Sequence, residues 1–399
     1  MMSRIAATLI SAMLIMASVV GCISCGHPVE KWNKTFGGSM YDKAYSVQQT
    51  SDGGYILAGD TASYGAIGSD ILLIKTDSGG NEQWNKTFGG SYKDYGRCVQ
   101  QTSDNGYVIL GYTRSHGTTD SYDVWLIKTD SSGNQQWNKT FGGPKTDYGY
   151  SVRQTADGGY IIAGDTSSYG AGRSDVWLIK TDSNGNEQWN KTFGGPDHDR
   201  GRCVQRTSDG GYVVAGETSS YGIRLNDMWL IKTDSSGNEE WTRTFGGEGG
   251  DGAFCVQQTN DGGYVIAGWT GSDPSGGVLL IKTDSSGEEL WNRAFGRSGP
   301  DFGYCVEQTS DAGYIIAGQA NAFGGGEPTG SEPQQDVSPE ALLIKTDSNG
   351  NEQWKKMYGG SDDGWGRCVQ QTCDGGFIVA GWLGGSAWLI KTDVRGNTD

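Results

Sequence analysis

From residue 30 onward, apolar positions fall into short β-branched and aromatic runs, and glycine-rich polar turns separate them. The stretch between Tyr150 and Phe193 shows the unit. It holds YSVRQT (Tyr150–Thr155), GGYIIAGDT (Gly158–Thr166), DVWLIKTD (Asp175–Asp182) and EQWNKTF (Glu187–Phe193). Each run has an ordinary strand length, about 5–9 residues, and the residue types favoured in strands. ADG joins the first two runs and SNGN the last two. Glycine in such connectors supplies the positive φ of hairpin turns. The unit is therefore expected to be a four-stranded antiparallel meander.

The unit repeats. The tryptophans of WNKTFGG and its variants are Trp32, Trp84, Trp137, Trp189, Trp241, Trp291 and Trp354, with spacings of 52, 53, 52, 52, 50 and 63. One such sheet cannot cover both its faces, but a ring of seven can. A four-strand period of about 50 residues predicts an all-β, seven-bladed β-propeller. A linear solenoid needs atypical capping repeats, and the two ends show none.

The runs are circularly shifted. The patterned region opens with a lone fourth run, EKWNKTF (Glu30–Phe36), and closes with runs one to three, at Cys368, Gly375 and Trp388. The N-terminal strand is thus expected to complete the last blade, close the ring and hide an edge. Trp32 then supplies the tryptophan that the last copy, LIKTDVRGNTD (Leu389–Asp399), lacks. Residues 30–399 read as one domain, with an insertion in blade six at Gln319–Glu340.

Composition supports order rather than disorder, because 14 tryptophans and 19 tyrosines accompany the 67 glycines. A net charge of −16 disfavours nucleic acid and anionic lipid as partners. The N-terminal segment is different. Arg4 precedes an apolar run, Ile5–Val20, too short for a typical membrane span of about 20 residues. Residues 1–21 read as a signal peptide. VVGC (Val19–Cys22) resembles a bacterial lipobox, and by that resemblance Cys22 is lipidated. Residues 22–29 would then tether the propeller outside the cytoplasm, with the membrane engaged only through the lipid. The competing readings are an uncleaved anchor and ordinary cleavage. CISCGH (Cys22–His27) misses the haem pattern Cys-x-x-Cys-His by one residue.

LIKTDSSGNEEW (Leu230–Trp241) resembles the repeat of quinoprotein-type propellers, over nearly all of Glu30–Asp393. Asp234 and Trp241 lie seven residues apart, one fewer than is usual in that family. DVWLIKTDSNGNEQW also resembles the kelch repeat. The quinoprotein resemblance implies a propeller with an inter-blade tryptophan. It does not carry the quinone site, since the adjacent cysteine pair of those enzymes has no counterpart here. Lipid-anchored relatives in outer-membrane protein assembly also lack the cofactor.

Several residues are candidates for chemistry. The seven repeat tryptophans are expected to dock blades. Trp269, Trp365 and Trp382 depart from the repeat, and Trp365, placed just before an inner strand, is a candidate to stack on a ligand at the channel mouth. Asp42, Asp94, Asp147, Asp199, Asp251 and Asp301 each stand four residues before the Ser or Cys of run one. They read either as a channel-end ring of oxygen ligands for Ca²⁺ or as local turn caps. No other cofactor and no metal site is expected. Cys98, Cys203, Cys255, Cys305 and Cys368 alternate with Ser46 and Ser151, as small buried residues would. Asn33, Asn85, Asn138 and Asn190 form Asn-Lys-Thr sequons on the outermost strand. His27, His116 and His198 have no metal or catalytic spacing. No catalytic residue is expected.

Loops between runs two and three, and between four and one, vary from blade to blade and leave the same face. Binding residues concentrate on such loops. The expected function is a non-enzymatic binding or scaffold module for a protein or glycan. A quinone- or metal-dependent oxidoreductase and a structural part of an envelope assembly machine are the alternatives.

Overall fold

The computed structural model describes residues 30–398, apart from 66–67, 118–119, 224, 273–275, 297–300, 321–338 and 361. The expected leader, the tether with Cys22 and nearly all of the blade-six insertion lie outside the described residues.

Among the described residues, 28 strands form seven four-stranded antiparallel sheets. Blade three comprises Asp147–Gln154, Tyr160–Thr166, Asp175–Thr181 and Glu187–Phe193, paired in chain order. Its second and third strands are buried at every position. Neighbouring blades cover both their faces, which explains why the middles of these strands, Tyr160–Ala163 and Val176–Ile179, are apolar without alternation. Each hydrophobic cluster accordingly bridges two blades. Ile161, Ala163, Val176 and Leu178 of blade three, for example, pack on Val204, Tyr212, Val214 and Trp229 of blade four.

The ring closes as the circular shift requires. Trp32–Phe36 pairs with Ser386–Thr392, with Trp32 opposite Lys391 and Phe36 opposite Ala387. Phe36, Ala380 and Leu389 of this last blade pack against Val47, Tyr55 and Leu57 of the first. The Asp42 N–H donates to the Gly385 carbonyl at 2.9 Å across the same seam.

The innermost strands line the axis: Asp42–Gln49, Asp94–Gln101, Asp147–Gln154, Asp199–Arg206, Asp251–Gln258, Phe302–Gln308 and Gly364–Gln371. Every one contains a β-bulge, and in each the residue skipped by the pairing is the one before the repeated Ser or Cys. A bulge turns its extra residue away from the ladder and re-aims the side chain. It also drives the backbone into the second strand, where only glycine fits. A Cβ on Gly164 would lie 1.8 Å from the Tyr148 carbonyl oxygen.

Candidate functional site

The residues ejected by the bulges are Tyr45, Arg97, Tyr150, Arg202, Phe254, Tyr304 and Arg367. They converge across blades. The Arg97 guanidinium lies 4.1 Å from the Tyr45 ring centre, and Arg367 lies 5.7 Å from the same ring. Arg367 also stacks 3.8 Å from the Tyr304 ring, and Phe254 meets Tyr304 edge-on at 5.0 Å. A second layer, nearer the variable loops, comes from cross-strand pairs that also differ between blades. These are Lys43 with Asp60, Tyr95 with Tyr112, Tyr148 with Asp165, Arg200 with Glu217, Gly252 with Trp269, Phe302 with Gln319 and Trp365 with Trp382.

The two halves of this mouth differ. Blades one to four contribute tyrosines and ion pairs. Arg97 donates to Asp60 at 3.1 Å, and Glu217 accepts from Arg200 at 3.0 Å and Arg202 at 3.2 Å. Burial pushes the Asp60 and Asp165 carboxyls up to about 6, against the pull of nearby guanidiniums. Blades five to seven contribute Phe254, Trp269, Phe302, Tyr304, Trp365 and Trp382. Trp365 and Trp382 lie 5.1 Å apart, and the Lys43 ammonium sits 5.4 and 5.8 Å from their rings. Trp365 belongs to the inner strand itself, as its second residue, rather than preceding it.

The opposite end of the inner strands is uniform and stitched shut. Gln48 accepts the Gln101 N–H at 2.6 Å, Gln100 that of Gln154 at 2.7 Å, and Gln370 that of Gln49 at 2.7 Å. Arg153, Arg206 and Glu307 are the departures. A Glu307 carboxyl oxygen still accepts the Gln371 N–H, at 3.3 Å, and burial pushes its pKa up to about 8.

Five of the six aspartates are tied by hydrogen bonds into their own blades, as the turn-cap reading expects. Asp42, Asp94, Asp147 and Asp199 are fully buried and are held within their own blades. Each accepts hydrogen bonds from a threonine (Thr61, Thr113, Thr166, Thr218) and from a serine (Ser63, Ser115, Ser168, Ser220). Each also takes a backbone N–H, from Gly38, Gly90, Gly143 and Gly195. Asp251 is bound likewise by Ser272 and Gly247, and Asp301 is buried. Among the described residues, no three His, Cys, Asp or Glu side chains gather as metal ligands. Asp42, Asp94, Asp147, Asp199 and Asp251 staple the four–one loop to the two–three loop of the same blade.

The repeat tryptophans each reach the next blade. Trp32 meets Tyr55, Trp84 Tyr107, Trp137 Tyr160, Trp189 Tyr212, Trp241 Tyr264, Trp291 Tyr314 and Trp354 Phe377, at 5.7–6.1 Å between ring centres. Asn33, Asn85, Asn138 and Asn190 are exposed on outer strands. The side chains of Asn33, Asn138 and Asn190 accept hydrogen bonds from Trp388, Trp125 and Trp177. Cys98, Cys203, Cys255, Cys305 and Cys368 are free thiols facing valine carbonyls of the next blade at 3.6–3.8 Å.

The bulge residues were not singled out from the sequence, although a signal for them exists. Between the preceding Gly or Ala and the following Ser/Cys-Val, that one position changes from Tyr to Arg to Phe while its flanks stay constant.

No family model matches the chain. The regulatory protein FlaEY of Caulobacter vibrioides is 29% identical to it over 151 residues, which is 32% of this chain and 16% of that protein. The chain therefore spans a small part of that relative's length. Among solved structures, the Pan2 WD40 domain of Neurospora crassa aligns over 93% of this chain and 99% of its own, with a TM-score of 0.54 at 9% identity. YCF48 bound to D1 peptide aligns over 95% and 99%, with 0.53 at 10%. Sqt1 of Chaetomium thermophilum bound to the N-terminus of ribosomal protein L10 aligns over 92% and 89%, with 0.51 at 13%. What these structures share with the chain is the β-propeller fold.

Proposed function

We propose that the chain is a protein-binding module that takes a polypeptide segment of its partner at the loop-bearing mouth. One observation carries the reading. The blades are near copies of one another, so residues that serve the blade are repeated. On the inner strands the residues that differ, apart from Arg153, Arg206 and Glu307, collect in two layers at one end of the axis. A surface of tyrosine, tryptophan and arginine is also the composition of binding hot spots. The peptide-bound propellers YCF48 and Sqt1 agree with this use of the fold. In this proposal the signal-like N-terminus and Cys22 place the module outside the cytoplasm on a lipid anchor, and the quinoprotein-like repeat supplies scaffold rather than cofactor chemistry.

The test is to probe a peptide array and a glycan array in parallel with the full chain, in wild type and in Tyr148→Ala and Trp382→Ala variants. Peptide spots that fade in both variants are expected. Glycan-only binding, or peptide binding indifferent to both substitutions, refutes the reading.

A further inference from the structure

The mouth carries more hydrogen-bond donors and more positive charge than its own residues satisfy. At the bulge and cross-strand positions stand five cations, Lys43, Arg97, Arg200, Arg202 and Arg367, against three carboxylates, Asp60, Asp165 and Glu217. That excess lies in a chain whose net charge is −16, so it is a local arrangement and not a general property of the surface. The ion pairs account for Arg97, Arg200 and Arg202, and Lys43 acts on Asp60. Arg367, which also acts on Asp60 at longer range, forms no ion pair with a carboxylate among the described residues. Burial lowers its pKa, and Arg97 and Arg202 add to the repulsion.

Of the buried mouth donors left without an acceptor, three lie on blade seven and one, the Arg202 Nε, on blade four, where the Asp165 Oδ1 of blade three is the one mouth acceptor likewise left without a partner among the described residues. The Arg367 Nε, Trp365 Nε1 and Trp382 Nε1 are all buried without a hydrogen-bond acceptor. The guanidinium lies 4.9 Å from the Trp365 ring, which lies 5.1 Å from that of Trp382. A buried polar atom without a partner costs stability, and three neighbouring donors on one blade without an acceptor call for an explanation, of which a bound acceptor is one.

We infer that the blade-seven side of the mouth is a carboxylate site, with Arg367 as its cation and the Trp365 and Trp382 indoles as flanking donors and apolar wall. A planar guanidinium matches a carboxylate's two oxygens. The aromatic wall suits a carboxylate carried on an apolar or aromatic group better than a hydrated polyanion. The inference rests on the peptide-binding reading only for where the carboxylate comes from, which is a C-terminus or an acidic side chain of the bound segment.

The test uses the full chain with sodium benzoate and its neutral isostere benzamide. At about 20 mM, benzoate should raise the melting temperature by about 2 °C and benzamide should not. Arg367→Met should abolish the benzoate shift and, without ligand, melt no lower than the wild type, because it removes an unpaired buried charge. A Trp365→Phe/Trp382→Phe variant keeps the rings, loses both donors, and should weaken benzoate binding several-fold. It provides the readout if the Arg367 variant does not fold. Equal shifts from benzamide, no benzoate shift, or an undiminished shift in either variant would overturn the site. Fluorescent hexapeptides with a free C-terminus, with an amidated end, or amidated with one internal aspartate then identify the source. Benzoate discrimination without peptide binding leaves the carboxylate site standing and removes the peptide reading. Peptides that bind equally with and without carboxylates do the reverse.

Discussion

Glu307 stands where Gln48, Gln100, Gln205, Gln257 and Gln370 stand in other blades. The glutamine amides accept a neighbouring N–H without carrying charge, whereas Glu307 buries a carboxyl whose pKa burial raises to about 8 from an ordinary 4.5. The folded chain therefore holds this proton more tightly than the unfolded chain does. Stability from this group is full below about pH 4.5 and declines as pH rises through 8. Glu307→Gln should raise the melting temperature at pH 8 and change it little at pH 4, in thermal unfolding followed by circular dichroism. The aspartates teach a related lesson. Their blade-by-blade repetition was visible in the sequence and allowed two readings. The choice needed the threonine and serine hydroxyls that close around Asp42 and its equivalents, and those lie 19–21 residues away along the chain.

At the scale of the element, the bulge decides the site. Gly164→Ala would press a methyl group against the Tyr148 carbonyl at 1.8 Å, and neither partner there is a flexible side chain. The substitution should lower stability by about 1–3 kcal/mol and should disturb Tyr150, so ligand binding at the mouth falls with it in the same preparation. The outer strand makes a different prediction. Trp189 stacks near Tyr212 and touches the positive-φ turn at Gly237, but it is half-buried rather than fully enclosed. Trp189→Ala should cost about 3 kcal/mol, the low end for a core aromatic, read as a lower urea midpoint with little change in slope. The inner hairpin turns carry an acid-sensitive contact. Despite burial that alone would raise them, Lys128 and Thr102 hold Asp104 at about 2, and Lys180 and Thr155 hold Asp157 at about 2. A depressed carboxyl stabilises above its unfolded value of 3.8 and loses that contribution as pH falls through 2. The urea midpoint should drop between pH 4 and 2, and by less in Asp157→Asn.

For the whole molecule, ring closure is the property under test. Deleting residues 30–36 removes the outer strand of blade seven, the Trp32 contact with Tyr55 and the Phe36 contribution to the seam. Deleting 395–399 is not silent either. Gly396 receives the Trp354 ring, and its carbonyl accepts the Tyr358 hydroxyl at 2.6 Å. Both truncations should lower the melting temperature, the first far more, and equal drops would contradict closure. The sequence by itself determined the all-β class, the seven units, the four strands in each and the circular shift. All of these are local or periodic properties, written in turn glycines and in the spacing of tryptophans. Only the tertiary structure decided which repeated position faces the axis, because a one-residue bulge reverses the simple two-residue alternation of a strand. It also decided that Asp42 and its equivalents bind the hydroxyls of their own blade, and that Arg367 stacks on rings of other blades without an ion pair, since both depend on side chains that only the folded ring brings together.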